Sequence, residues 1–167
     1  MKRRLMLLGL TLAAWVPANA QTDPGKDTIG VVTTTVYYGT DGDPEAAGPR
    51  AKPVSDEVSE RLASEEKLKF NKYLELGREE KPLFRSYENW AQPLSPSDEI
   101  LVRFEAQSKV SKEVMRMDVE LWLSRKKILK TDAAMQPDKP LLVLGPEWRG
   151  GRLIISVALA PGRPKNP

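Results

Sequence analysis

The chain contains no cysteine and no histidine. Ser-His-Asp and Cys-His nucleophile arrangements are therefore excluded, and so is a structural zinc site of the usual ligand type. Any acid–base chemistry falls to Asp, Glu, Lys or Tyr. No disulfide can form, so the fold rests on its core alone, even in an oxidising compartment. No glycine-rich phosphate loop leads from a strand into a helix, which removes the usual sign of a nucleotide site. Long apolar runs are scarce as well. The longest is Leu5–Val16, too short for a comfortable membrane span.

That run follows Lys2, Arg3 and Arg4 and stops at Pro17, just before Ala18-Asn19-Ala20. A positive start, a short apolar stretch and a small-x-small site describe an export signal at residues 1–20, cleaved after Ala20. The expected destination is the periplasm or the extracellular medium. The formal charge of +3 resides in this segment, because Lys2, Arg3 and Arg4 are its only charged residues. The neutral remainder has no global field to draw in nucleic acid or an anionic membrane. Neither is an expected partner, and no stable membrane insertion is expected once the signal is removed. What remains has the length of one ordinary domain.

Residues 21–29 read as a flexible lead-in, and 30–160 as a single β-rich domain. Gly30–Gly39 (GVVTTTVYYG) is rich in Val, Thr and Tyr and bounded by glycines, which predicts a strand. Residues 39–54 carry Gly, Pro and Asp and read as a long exposed loop. One helix is expected over 55–66. Ser55 can cap it, Asp56 and Glu57 occupy its first turn, and Val54, Val58 and Leu62 share a face.

Beyond residue 68 the apolar period changes to 2. Strands are expected at 68–76, 82–90, 99–106, 114–124, 128–131, 139–145 and 152–160. In 114–124, Met115, Met117, Val119, Leu121 and Leu123 alternate with Arg116, Asp118, Glu120, Trp122 and Ser124, giving one buried and one wet face. Arg125-Lys126-Lys127 then reads as a charged turn. Segment 152–160 is apolar on both faces, which places it inside a sheet or between layers. The Pro-rich residues 161–167 read as a disordered tail. About eight strands, one helix and short connections favour hairpins over βαβ crossovers. The expected fold is mainly β, an antiparallel sandwich or strongly curved sheet with the helix packed against it.

Arg149-Gly150-Gly151-Arg152 stands between two of these strands. Arg-Gly-Gly elements bind RNA through repetition in disordered segments. This one occurs once, so it reads as a hairpin turn whose paired glycines supply positive φ. Two functional readings accompany the turn. Its backbone and the two arginines could form an anion-binding nest. Alternatively, Trp148 and Arg149 could anchor a protein partner.

Trp122 lies on the polar face of its strand, either as a sugar platform or packed under another layer. Asp118 and Glu120, two residues apart, are the best carboxylate pair for glycoside hydrolysis. Their alternation with Arg116 reads more simply as cross-strand ion pairing. Ser108-Lys109 and Ser124-Arg125-Lys126-Lys127 offer Ser/Lys pairs, although both look like turn chemistry. Asp41-Gly42-Asp43-Pro44-Glu45 offers oxygens to calcium but lacks the glycine and distal glutamate of the EF-hand loop.

The sequence thus points to an exported, non-enzymatic protein acting as an accessory or structural binding component of the bacterial cell envelope. No cofactor and no metal are expected. The expected partner is an envelope protein, met at Trp122, Trp148, Arg149 and Arg152, with edge strands at 30–39 or 68–76 available for β-addition. The alternative is a small carbohydrate-active protein. It would bind glycan through Trp122 and Trp148, or hydrolyse it with Asp118 and Glu120.

Overall fold

The computed structural model describes residues 22–109 and 113–161. The expected export signal, most of the Pro-rich tail and residues 110–112 lie outside them. Two antiparallel sheets face one another, and one helix covers the outer side of the larger sheet. The strands are β1 (Thr28–Thr40), β2 (Lys52–Pro53), β3 (Lys72–Phe84), β4 (Asn89–Ala91), β5 (Ile100–Lys109), β6 (Met115–Leu123), β7 (Lys126–Met135), β8 (Leu141–Trp148) and β9 (Gly151–Pro161). The five-stranded sheet runs β2-β3-β1-β9-β8 and the four-stranded sheet β4-β5-β6-β7.

The core between the sheets follows from period-2 alternation. Val32 and Val36 of β1 and Leu153, Ile155, Val157 and Leu159 of β9 meet Ile100, Val102 and Phe104 of β5 and Met117, Val119 and Leu121 of β6. The opposite face of the five-stranded sheet presents Tyr37, Tyr73 and Ile154 to a second, smaller cluster. The helix α1 (Asp56–Ser64) fills that cluster with Leu62, flanked by Val54 and Val58, the stripe read from the sequence. Ser55 caps α1 by accepting from the Val58 amide at 3.4 Å. The helix ends at Ser64, and a short 3-10 turn over Glu66–Leu68 sends Leu68 into the same cluster.

Several boundaries differ from the sequence reading, each for a physical reason. Segment 82–90 is not one strand. Pro82 to Phe84 completes β3, and Asn89–Ala91 forms β4 in the other sheet. An apolar rhythm does not reveal where a chain changes layers. Strand β3 begins at Lys72 rather than at 68, and continues through the charged stretch Arg78-Glu79-Glu80-Lys81, which pairs with Thr35 to Val32 of β1. Residues 41–53 also hold more than a loop: a 3-10 turn over Pro44–Ala47 capped by Asp43, then the two-residue β2.

The lead-in carries a 3-10 turn at Pro24–Lys26, with the Tyr87 hydroxyl donating to Asp23 at 2.6 Å. Pro161 closes β9 rather than opening the tail. Strand β1 is not an edge. It pairs along its length with β3 on one side and β9 on the other, so residues 30–39 cannot recruit a partner strand. Residues 68–76 are no open edge either: their β-strand part, from Lys72, pairs with β1, and β2 covers Leu74 and Glu75. Strand β9, apolar on both faces, does lie inside the sheet, between β1 and β8.

Candidate functional site

The Arg-Gly-Gly stretch forms the turn of the β8–β9 hairpin, closed by the pair Trp148↔Gly151. Its two central residues are Arg149 (φ 48) and Gly150 (φ 78), so positive φ falls on an arginine and one glycine rather than on both glycines. This is the primed-turn geometry that matches strand twist. Gly151 is required for space instead. A Cβ there would run into the Tyr38 ring and the Gly39 carbonyl.

A non-glycine residue in the left-handed region is costly unless its surroundings hold it. Arg149 is held at three points. Its carbonyl accepts from the Tyr38 hydroxyl at 2.8 Å. Its guanidinium carbon lies 4.4 Å from the Trp148 ring centroid. Its Nη1 donates to the Ala46 carbonyl at 3.4 Å. The Trp148 ring also meets the edge of Tyr38 at a centroid distance of 5.6 Å. These contacts fix Trp148 and Arg149 as one unit at the end of the sandwich.

That unit forms the wall between two clefts. The larger, about 980 Å³, is bounded by the 47–52 segment, Glu75 to Arg78 of β3, the Pro93 to Glu99 loop, and Trp148 with Arg149. The smaller, about 520 Å³, includes Asp41, Phe70, Glu147 and Arg152. Arg152 donates from Nη2 to the Gly145 carbonyl at 3.1 Å, while its Nε is buried with no partner among the described residues. Tyr38 and Thr40 donate their hydroxyls to the carbonyls of Arg149 and Gly150, so these carbonyls face inward to β1.

The second place singled out by the sequence is the outer face of the four-stranded sheet. Register places Trp90, Arg103, Glu120 and Lys130 in one row across all four strands. Arg103 is the hub, with its side chain 15% exposed. It pairs with Glu105 at 2.7 Å, with Asp118 at 3.2 Å, with Glu120 at 3.9 Å, and with Glu88. Lys127 reaches Glu120 at 3.2 Å, and Lys130 reaches Asp118 at 3.3 Å.

Burial pushes the Glu120 carboxyl up, but hydrogen bonds from Lys127 and Trp122 and the nearby charges of Lys127 and Arg103 outweigh it. The net result holds Glu120 below the usual carboxylate range. Asp118 and Glu120 are thus arranged as paired anions, the simpler of their two readings.

Trp122 is half-buried on this face. Its Nε1 donates to Glu120 at 3.1 Å, Lys127 lies 5.4 Å from its ring centroid, and the exposed Trp90 ring is 6.0 Å away at 54°. Trp122 and Trp148 therefore belong to different surfaces, Trp122 on the sheet face and Trp148 at the hairpin end.

The remaining candidates have local roles. Asp43 accepts from the Glu45 amide, and Asp41 from the Asn71 amide. Among the described residues, no group of three or more acidic side chains is placed to hold a metal ion. Ser124 and Arg125 form the β6–β7 turn, with φ 46 and 66, so that turn precedes Lys126 and Lys127, which start β7. Ser108 lies at a register shift in β5.

The sequence reading missed Arg50 and Lys52, set aside with an exposed loop, and Trp90 and Arg103. Arg103 was legible as the outward cation of an alternating strand. Its partners needed the register. No protein-family model, curated protein or solved structure matches this chain.

Proposed function

We propose that this is an exported, non-enzymatic binding protein, an accessory or structural component of the bacterial cell envelope. Its partner is an envelope protein. The observation that carries this reading is the Trp148–Arg149 unit, a preorganised aromatic and guanidinium pair beside a cleft of about 980 Å³. Tryptophan and arginine are the residue types that most often dominate partner binding, and rigid presentation lowers the entropy cost of association. The ion pairs of Asp118 and Glu120 also support a non-catalytic role, because those around Glu120 hold its carboxyl below its ordinary value, whereas a hydrolase acid needs a raised one.

Mild crosslinking in the native envelope, followed by mass spectrometry, tests the proposal. The expected result is a reproducible envelope protein, lost with Arg149→Asn, and a mature chain that starts at Gln21. Recovery of the chain alone, or of an uncleaved chain in the cytoplasm, would overturn it.

A second reading, glycan binding, is favoured by the Trp90–Trp122 pair, two indoles flanked by hydrogen-bonding side chains on an open sheet face. It predicts retention on insoluble cell-wall glycan that Trp122→Ala abolishes and Arg149→Asn leaves intact.

A further inference from the structure

The larger cleft carries more positive charge than its own side chains neutralise. Arg78 is paired with Glu75 at 2.9 Å. Arg50, Lys52 and Arg149 also line the cleft, and none of them has an ion-pair partner among the described residues. Arg50 and Lys52 are exposed. One carboxylate on the cleft wall, Glu99, is likewise without an ion pair. Three unneutralised cations thus face one unneutralised acid in a protein whose remainder, without the export signal, is neutral.

Concentrated charge on a neutral chain implies local selection for an anion rather than general electrostatic attraction. We propose that this cleft receives an acidic, extended peptide segment of a partner protein. This inference rests on the binding role proposed above and names the chemistry of the partner.

Two features favour a peptide over a compact anion. First, Leu76, Leu94 and Trp148 lie among the charges, half-buried, and supply apolar contacts that a compact anion could not use. Second, the cations come from three positions on the cleft wall, Arg50 in the turn before β2, Lys52 at the start of β2 and Arg149 in the β8–β9 turn, around a space of about 980 Å³, far more than a single phosphate fills. Arginine recognises carboxylates through a planar fork, and the Arg149 guanidinium is already held over the Trp148 ring, 4.4 Å from its centroid.

The test uses the mature chain and a fluorescein-labelled six-residue peptide alternating Glu and Leu, read by anisotropy. A second peptide carries Gln in place of Glu. The expected result is saturable binding of the acidic peptide that weakens with added salt, with at least tenfold weaker binding of the Gln peptide. Arg50→Gln with Lys52→Gln should lower affinity about tenfold or more. Both side chains are exposed, so the fold should be retained, as checked by the melting temperature. Arg149→Asn, which keeps a turn-compatible residue, should have a comparable effect.

Lys126→Gln, at an exposed lysine on β7 without an ion pair, is the control and should leave binding unchanged. No binding, equal binding of both peptides, or equal loss in the Lys126 control would overturn the proposal. So would full displacement by inorganic phosphate at concentrations comparable to the peptide, which would assign the cleft to a small anion. If the acidic peptide binds as expected but no envelope protein is recovered by crosslinking, the site stands and the envelope role falls.

Discussion

The hydroxyl of Tyr38 donates to the carbonyl of Arg149 at 2.8 Å, joining two residues 111 positions apart in the chain. Tyr38 lies at the end of β1, the central strand, and its ring is fully buried. The bond therefore ties the exposed β8–β9 turn to the most protected strand of the sheet. Tyr38→Phe removes the donor while keeping the ring against Trp148. The expected loss is about 1–2 kcal/mol, the cost of leaving a part-buried carbonyl unpaired, measured by urea denaturation. The hairpin tip should also show faster amide exchange. A variant indistinguishable from the parent in both measurements would show that the turn is held without this bond.

The two glycines of the turn should respond differently to the same substitution. At Gly151 an added Cβ meets the Tyr38 ring and backbone of β1, where nothing flexible can give way. Gly151→Ala is expected to cost about 2–4 kcal/mol or to prevent folding, as overpacking at a fixed site does. At Gly150 no atom lies within 4 Å of the added Cβ, and only the φ of 78° is unfavourable. Gly150→Ala should cost about 1 kcal/mol. Reversal of this order in thermal melts would be inconsistent with the described turn.

Arg103 should matter more than any helix-surface ion pair. Arg103→Met leaves Glu88, Glu105, Asp118 and Glu120 without their shared cation, on a face where the Glu120 side chain is only 7% exposed. The expected destabilisation is about 2–3 kcal/mol, less than for a fully buried pair because Lys127 and Lys130 still reach two of the carboxylates. Arg61→Ala breaks an exposed pair with Glu57 at 3.0 Å on α1 and should cost less than about 0.5 kcal/mol. Equal chevron shifts for the two variants would remove Arg103 from its central place.

Acid should destabilise the protein through a small set of glutamates. Glu88 is held below its ordinary value by hydrogen bonds from Arg103 and Trp90. For Glu79 and Glu120, burial pushes the carboxyl up, but the groups that bind the ionised form win. A depressed folded-state pKa contributes stability that is fully present above the unfolded value, about 4.3 for glutamate, and is lost as pH falls through the folded value. Melting temperatures should therefore hold steady from about pH 7 to pH 5 and then fall toward pH 3. Glu120→Gln should flatten part of that fall, whereas an unchanged slope would assign the acid sensitivity to other groups.

The sequence by itself determined the elements that depend on local periodicity and composition. The alternation in 114–124 predicted β6 with its core and wet faces, because period-2 burial is written one residue at a time. Val54, Val58, Leu62 and Ser55 predicted α1 and its buried face for the same reason. The missing cysteine and histidine excluded whole classes of chemistry before any fold was known.

The tertiary structure alone decided what depends on register and layer. Whether β1 was an edge or the centre of a sheet turned on β9, whose paired residues lie 113 to 131 positions away. The meeting of Arg103 with Asp118 and Glu120 required the β5–β6 pairing, because no spacing within one strand encodes its neighbour's offset. Arg50 and Lys52 joined Arg149 at one cleft only because β2 pairs with β3 and the β8–β9 turn closes over Tyr38. Local sequence sets which way a side chain points, whereas pairing between distant strands sets what it meets.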